Sequence, residues 1–387
     1  MPPTANWEVN QDVALLHTLA NAIVALEDAP ELESFRLPYP AEAQRALDRT
    51  ALACLRRGAE PPRSIPQLLD WCRTRPLASW PLDLPPDAIG PNDQLLDEET
   101  GLPTELVREW WVHRRDSLAR LHDREVVRWA LRKCKEAGLP ESYTAFRRLL
   151  VERPVLTHTE WFPVVSDPLL LPLQELLGGI YQDVPASYLR PERGCAVCLR
   201  CGTLLTPVGE ADWWCERDFC RSLGTVPPIG RIIEPEDFPG LVHLDRPLRQ
   251  FVTWPGRAEL ALEKGLVQHG LTVEMWPGFD AYDLRVTFPH GRVWAVDVKD
   301  WAHPGLLGRS AKPVRPEPPY HEAFWVVPEH RADARPDYLD IFHRNRPTEA
   351  QNLPLLTDNA LLRRARQQMK QTKTGSGEDG MAGDAHA

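Results

Sequence analysis

The sequence predicts an α+β multidomain chain: a helical N-terminal region, a small ribbon folded around cysteines, and a C-terminal α/β core ordered helix, three strands, helix, strand. Three observations carry this expectation. Apolar residues recur at helical spacing through the first 150 residues, five of the eight cysteines crowd between 195 and 220, and period-two alternation takes over beyond 270. The 387 residues, 43% of them hydrophobic, suffice for two or three domains at roughly 100–200 residues each, which excludes wholesale disorder. A net charge of -10 argues against a protein that coats nucleic acid through bulk charge, though a local groove can still be positive. No apolar run approaches the roughly 18–20 residues of a membrane span. Met1 to Asp12 lacks a basic segment followed by an apolar one, so a cytoplasmic protein without membrane contact is expected.

Gln11 to Ala29 places Val13, Leu16, Leu19, Ile23 and Leu26 on one helical face, and Ala41 to Arg57 and Ile65 to Arg73 repeat the pattern between proline-rich joints. A stronger helical block runs from Pro103 to Glu136 and again from Glu141 to Val151. It carries Arg108, Arg114, Arg115, Arg120, Arg124, Arg128 and Arg132. The interleaved Glu105, Glu109, Asp116, Asp123 and Glu125 favour a solvated face of ion pairs over a phosphate-contacting surface. We set domain limits at 1–155 for the helical domain, 156–238 for the ribbon region, 239–350 for the α/β core and 351–387 for a C-terminal extension. The last part ends in a Gly-, Ser- and Asp-rich tail from Thr372, expected to be disordered.

Cys198-Leu-Arg-Cys201 and Cys215-Glu-Arg-Asp-Phe-Cys220 stand 13 residues apart, the spacing of two knuckles that bring four thiolates to tetrahedral zinc. Without an export signal, metal is favoured over disulfide. Four thiolates fill the coordination shell and leave no place for an activated water, so a structural Zn2+ is expected. Cys195 is a surplus thiol left out of the site, and Cys54, Cys72 and Cys134 read as small buried hydrophobes. Trp213 and Trp214, between the knuckles, are expected to cover a small core rather than stack on bases.

Gly256 to Gly270 reads as a helix, followed by strands over Leu271 to Trp276, Ala281 to Phe288 and Arg292 to Lys299, with a tight turn at Pro289 to Gly291. Period-two geometry puts Asp297 and Lys299 on one side of the third strand, and the hairpin brings Asp283 alongside. This combination suits hydrolysis of a phosphodiester with a hard cation. Asp283 and Asp297 hold Mg2+ or Mn2+ through oxygen, the ion polarises the phosphate and acidifies its water, and Lys299 positions that water or stabilises the developing charge. Glu259 on the helix completes the shell, with Glu263 as the fallback one turn on. A single Asp-x-Lys triplet is what composition alone supplies, so its weight rests on its placement. The alternative is a structural ion pair of Lys299 with Asp297 or Asp283. Phosphate contacts are assigned to Arg257, Arg285, Arg292 and Arg309, with Arg335, Arg344 and Arg346 behind them.

The order of elements, with Glu259, Asp283, Asp297 and Lys299 in those places, resembles the PD-(D/E)xK restriction-endonuclease-like superfamily, whose core runs αβββαβ. The resemblance implies that Asp283 and Asp297 bind magnesium, that Lys299 serves the water and that Glu259 assists. It also places a fourth strand at Glu322 to Val327 and a closing helix at Pro336 to His343. The proline-rich segment Pro304 to Pro319 departs from a clean core helix. The whole layout, with the stretch Tyr143 to Thr157, is similar to the restriction endonuclease encoded beside prokaryotic Piwi-type proteins (pPIWI-RE) and a helicase in conflict islands. That implies a nuclease for DNA, with RNA left open, acting in defence against invading nucleic acid beside a Piwi-type protein and a helicase. The alternative is a catalytically inactive nucleic-acid-binding or scaffold protein assembled through its zinc ribbon.

Overall fold

The computed structural model describes residues 7, 9–27, 39–113, 119–222 and 227–375. The three expected N-terminal helices form at Gln11–Glu27, Ala41–Arg56 and Ile65–Thr74. Leu16, Leu19 and Ile23 of the first pack with Ala43 and Ala46 of the second, small residues that let the backbones approach closely, and Trp110 closes this core by stacking on Trp7 at 5.8 Å. Helices Glu105–His113, Ala119–Ala137 and Pro140–Glu152 follow. Arg114, Arg115 and Asp116 lie outside the described residues, as do the side chains of Arg120, Asp123 and Arg124. The expected solvated ion-pair face does not hold for Glu105 and Glu109. Both are 3% exposed and bonded to distant segments, because burial leaves a carboxylate no solvent and forces it onto whatever donors packing supplies.

The middle of the chain is built on a three-stranded antiparallel sheet of Val155–Leu156, Val242–Leu244 and Tyr181–Asp183, with Val242–Leu244 central. The domain joint expected near Pro239 therefore falls just before a strand that pairs backwards with this sheet. Cys195–Cys198 pairs with Ile229–Ile233, and Thr206–Val208 pairs with Asp212–Trp214, giving the two hairpin-like ladders of the cysteine region.

The C-terminal sheet has five strands: β1 (Thr272–Met275), β2 (Leu284–Thr287), β3 (Val293–Val298), β4 (Glu322–Val327) and β5 (Leu355–Thr357). Their spatial order is β5-β4-β3-β2-β1, antiparallel among β1, β2 and β3 and parallel among β3, β4 and β5. The tight turn from β2 to β3 uses Gly291 at φ +85°, a conformation that costs other residues a Cβ clash. Central β3 is buried on both faces, as a strand with covered sides requires. Between β3 and β4 the proline-rich segment forms only the short helix Pro304–Arg309. The closing helix is Tyr338–Asn345. The sheet continues beyond residue 350: β5 joins β4, and the helix Asp358–Gly375 that follows contributes Leu361 and Ala365 to the core. Of the tail expected from Thr372, residues 376–387 lie outside the described residues.

The helix Trp254–Gln268 rests on the sheet through Leu262 and Leu266 and meets Pro140–Glu152 with its other side. Gly256 permits that contact, since a Cβ there would stand 2.2 Å from Val151 Cγ2. Gly256→Val is expected to destabilise the protein by about 1–3 kcal/mol through overpacking, read as a lower urea midpoint; an unchanged midpoint would show that the helices can part at no cost. Among the described residues, no helix is long and apolar enough to cross a membrane.

Candidate active site and metal centre

The hairpin register Val296↔Leu284 sets Asp283, just before β2, beside the end of β3. Asp283 Oδ2 accepts the Val298 backbone N–H at 2.6 Å and lies 3.6 Å from Lys299 Nζ. The same ammonium is 3.6 Å from Asp297 Oδ1 and sits 5.3 Å from the centre of the Trp325 ring. Asp283, Asp297 and Lys299 thus meet as the sequence predicts. Burial, with repulsion from Glu259, pushes the Asp283 carboxyl well above the ordinary carboxylate range. For Lys299, burial opposes the charge, but Asp283 and Asp297 outweigh it and hold the ammonium protonated. Several acids facing one lysine make an electronegative site that a divalent cation would neutralise.

Glu259 is 3% exposed and enters from the helix Trp254–Gln268. Its Oε2 accepts the Trp276 Nε1–H at 2.7 Å and lies 3.6 Å from Arg147 Nη2. Burial raises its pKa and Arg147 pulls it back, while Asp280 adds to the rise. Glu263 points elsewhere and pairs with Arg148 at 2.6 Å, which removes the fallback. The turn after β1 is strained: Trp276, Phe279 and Asp280 all have positive φ, at 49°, 59° and 62°. Such conformations cost about 1–3 kcal/mol each and persist where surroundings over-determine them. Here Tyr143 O–H donates to Asp280 Oδ2 at 2.7 Å, and Trp276 is held by Glu259.

Glu259, Asp280, Asp283, Asp297 and Lys299 open into one cleft of about 810 Å³, bordered also by Arg128, Arg147, Arg309, Lys312 and Arg315. The phosphate contacts assigned from sequence are largely redirected. Only Arg309 of that set lines the cleft. Arg285 donates to Pro319 O at 2.6 Å, Arg292 pairs with Glu322, Arg335 with Asp337 and Arg344 with Asp87, and Arg346 donates to backbone oxygens. Arg257 lies against Gly202 of the cysteine region. Guanidinium groups near acids or carbonyls are claimed by them, and for Arg285, Arg292 and Arg344 those partners lie in sequence-distant segments that sequence order does not reveal.

Cys198, Cys201, Cys215 and Cys220 are all buried and offer sulfurs that lie within 4.8 Å of one another. Cys201 and Cys215 Sγ are 3.5 Å apart. Among the described residues this is the one such grouping of His, Cys, Asp or Glu ligand atoms, so Glu259, Asp283 and Asp297 form a more open arrangement. Gly202 takes φ +75° in the knuckle turn, a conformation that favours glycine. Trp213 and Trp214 are both buried, Trp213 in the cluster of the four cysteines, while Cys195 packs in a separate apolar cluster with Val155 and Ile233. Trp254, the first residue of the Glu259 helix, packs into the cysteine cluster.

A second link joins these regions. Arg217, between the knuckle cysteines, donates to Asp300 Oδ2, and Arg331 Nε donates to Asp300 Oδ1 at 2.6 Å. Arg331 also pairs with Glu105 at 2.8 Å, and Glu109 accepts the N–H groups of Ala302 and His303. Burial would raise the Asp300 pKa, but Arg331 and Arg217 hold it well below the carboxylate range. Asp300→Ala would leave two buried arginines short of a partner. We expect it to cost about 3–5 kcal/mol, measured by urea unfolding; a loss under 1 kcal/mol would mean the arginines re-pair freely.

Sequence reasoning missed Arg147, Tyr143, Asp280 and Asp300. The available signal was Arg147 itself, a charge sharing a helix with the buried Tyr143, Phe146 and Leu150.

Two family models match the chain: pPIWI_RE three-gene island domain Y over residues 15–157, and REase associating with pPIWI_RE over residues 256–373. They bear out the resemblance drawn from the sequence. The second match spans Glu259, Asp283, Asp297 and Lys299, and the cysteines fall between the two. No curated protein and no solved structure matches.

Proposed function

We propose that this chain, whose residues 256–373 match the REase associating with pPIWI_RE and whose residues 15–157 match domain Y of that three-gene island, is a metal-dependent nuclease hydrolysing phosphodiester bonds of DNA. The observation that supports it is the convergence of Asp283 and Asp297 on the Lys299 ammonium, with Glu259 in the same cleft. The sheet carrying them follows the αβββαβ order of the PD-(D/E)xK core, extended by β5 and its helix. Asp283 and Asp297 would hold Mg2+ or Mn2+, which supplies a polarised phosphate and an acidified water. Lys299, whose ammonium lies 3.6 Å from both carboxylates, would orient that water or balance charge at the phosphate. Glu259 acts from behind, its Oε2 fixed by Trp276.

The four cysteines suit a structural Zn2+. Zinc–sulfur bonds of about 2.3 Å in a tetrahedron put sulfurs roughly 3.8 Å apart, in keeping with the 3.5 Å between Cys201 and Cys215 Sγ and the 4.8 Å within which all four sulfurs lie. All four ligands are protein thiolates, so this ion would brace the fold. In this reading residues 1–155 form the helical domain, 156–238 the ribbon region, and the nuclease extends from 239 through the 358–375 helix. A Piwi-type protein and a helicase are its proposed partners in cytoplasmic defence against invading nucleic acid. The test is incubation of full-length protein with single- and double-stranded DNA and RNA, with magnesium or manganese against EDTA. Cation-dependent cutting of DNA is expected. Silence in every lane from folded protein would favour an inactive nucleic-acid-binding scaffold.

A further inference from the structure

Resting on the nuclease reading, we propose that domain Y lends the site a DNA-backbone ligand: Arg147 contacts a substrate phosphate from the helix Pro140–Glu152. This helix runs alongside and opposite in direction to the Glu259 helix. Val151 meets Gly256, the Thr253 hydroxyl donates to Leu150 O at 2.8 Å, and Arg147 faces Glu259. The register aims Arg147 into the cleft that holds Asp283, Asp297 and Lys299.

Arg147 is 7% exposed, and burying a guanidinium is costly unless its donors are used. Asp280 and Glu259 sustain its charge against burial, but they do so through charge more than through hydrogen bonds. The Glu259 oxygen stands 3.6 Å away, beyond hydrogen-bond length, and already accepts from Trp276. The nearer claim on Asp280 belongs to Tyr143. The guanidinium lies over the Trp276 ring, 5.2 Å from its centre, and the residue borders the cleft. Among the described residues its Nε has no hydrogen-bond partner. Arg148, next along the chain, differs: it is spent on Glu263 and Glu152. A planar fork with its Nε unspent, lying over Trp276 beside a pair of metal-binding carboxylates, matches the two-oxygen edge of a phosphate. Substrate binding by the nuclease then depends on how domain Y is seated.

The experiment is equilibrium binding of full-length protein to a fluorescent DNA in EDTA across a range of salt, beside cleavage in magnesium. Arg147→Gln is expected to weaken binding about 10-fold and to flatten the dependence of log K on log salt by about one phosphate contact. Arg148→Gln should leave that slope unchanged, which a general disturbance of the helix would not. Arg147→Lys should keep the slope while losing affinity a few-fold, since charge survives and the fork does not. A folded Arg147→Gln protein with wild-type affinity and slope overturns the proposal. If that variant fails to fold, unchanged affinity in Arg147→Lys overturns it instead. Wild-type protein that neither binds nor cuts removes the nuclease reading and this proposal with it. Active wild type beside an indistinguishable Arg147→Gln removes this proposal alone.

Discussion

Asp297→Ala and Lys299→Ala are each expected to lower metal-dependent cleavage of DNA by at least about 10³-fold, about 4 kcal/mol of transition-state stabilisation. Asp297 is half-buried, and its loss leaves Lys299 paired with Asp283, so that variant should fold normally while losing a cation ligand. Lys299→Ala removes the ammonium that separates Asp283 from Asp297, so the site becomes more acidic. Its cation affinity should hold or rise even as turnover falls, which separates the lysine's role from metal binding. The measurement is cleavage rate against magnesium concentration for wild type and both variants, with thermal midpoints as the check on folding. Wild-type rates in either variant would reduce the triplet to a structural ion pair.

Cys201→Ser and Cys215→Ser should each release one equivalent of zinc and cost at least about 3 kcal/mol, some 6–12 °C in Tm at roughly 2–4 °C per kcal/mol. The cluster is fully buried, and without an ion its four sulfurs have little to hold them together but Trp213, Leu205 and Trp254. Because Trp254 starts the Glu259 helix and Arg217 reaches Asp300 beside Lys299, the damage should spread and cleavage should fall as well. Cys195→Ser should keep the metal, since its thiol lies in the other cluster. Metal content by atomic emission and thermal unfolding decide the matter. One retained equivalent and an unmoved Tm in both knuckle variants would dismiss the zinc site.

What could be read directly from sequence was whatever depends on local spacing. Strand β4 falls on its predicted limits, and β1, β2 and β3 form within theirs. Period two placed Asp297 and Lys299 together, and knuckle spacing identified the four gathered cysteines. These succeed because strand pleat, hairpin register and the reach of a metal-binding turn are properties of a few consecutive residues. Residue pairs distant in the chain were decided by packing. Arg147 reaches Glu259 because Gly256 lets two helices touch, Glu105 pairs with Arg331 because three regions share a buried interface, and β5 extends a sheet whose edge no local pattern announces. The sequence alone picked out Asp283, Asp297 and Lys299, the residues proposed to carry the chemistry, and the structure brings them together. Tertiary structure decided which arginines border the cleft, adding Arg128, Arg147 and Arg315 to Arg309, because a buried charge takes the partner that close packing brings near rather than the one spacing suggests.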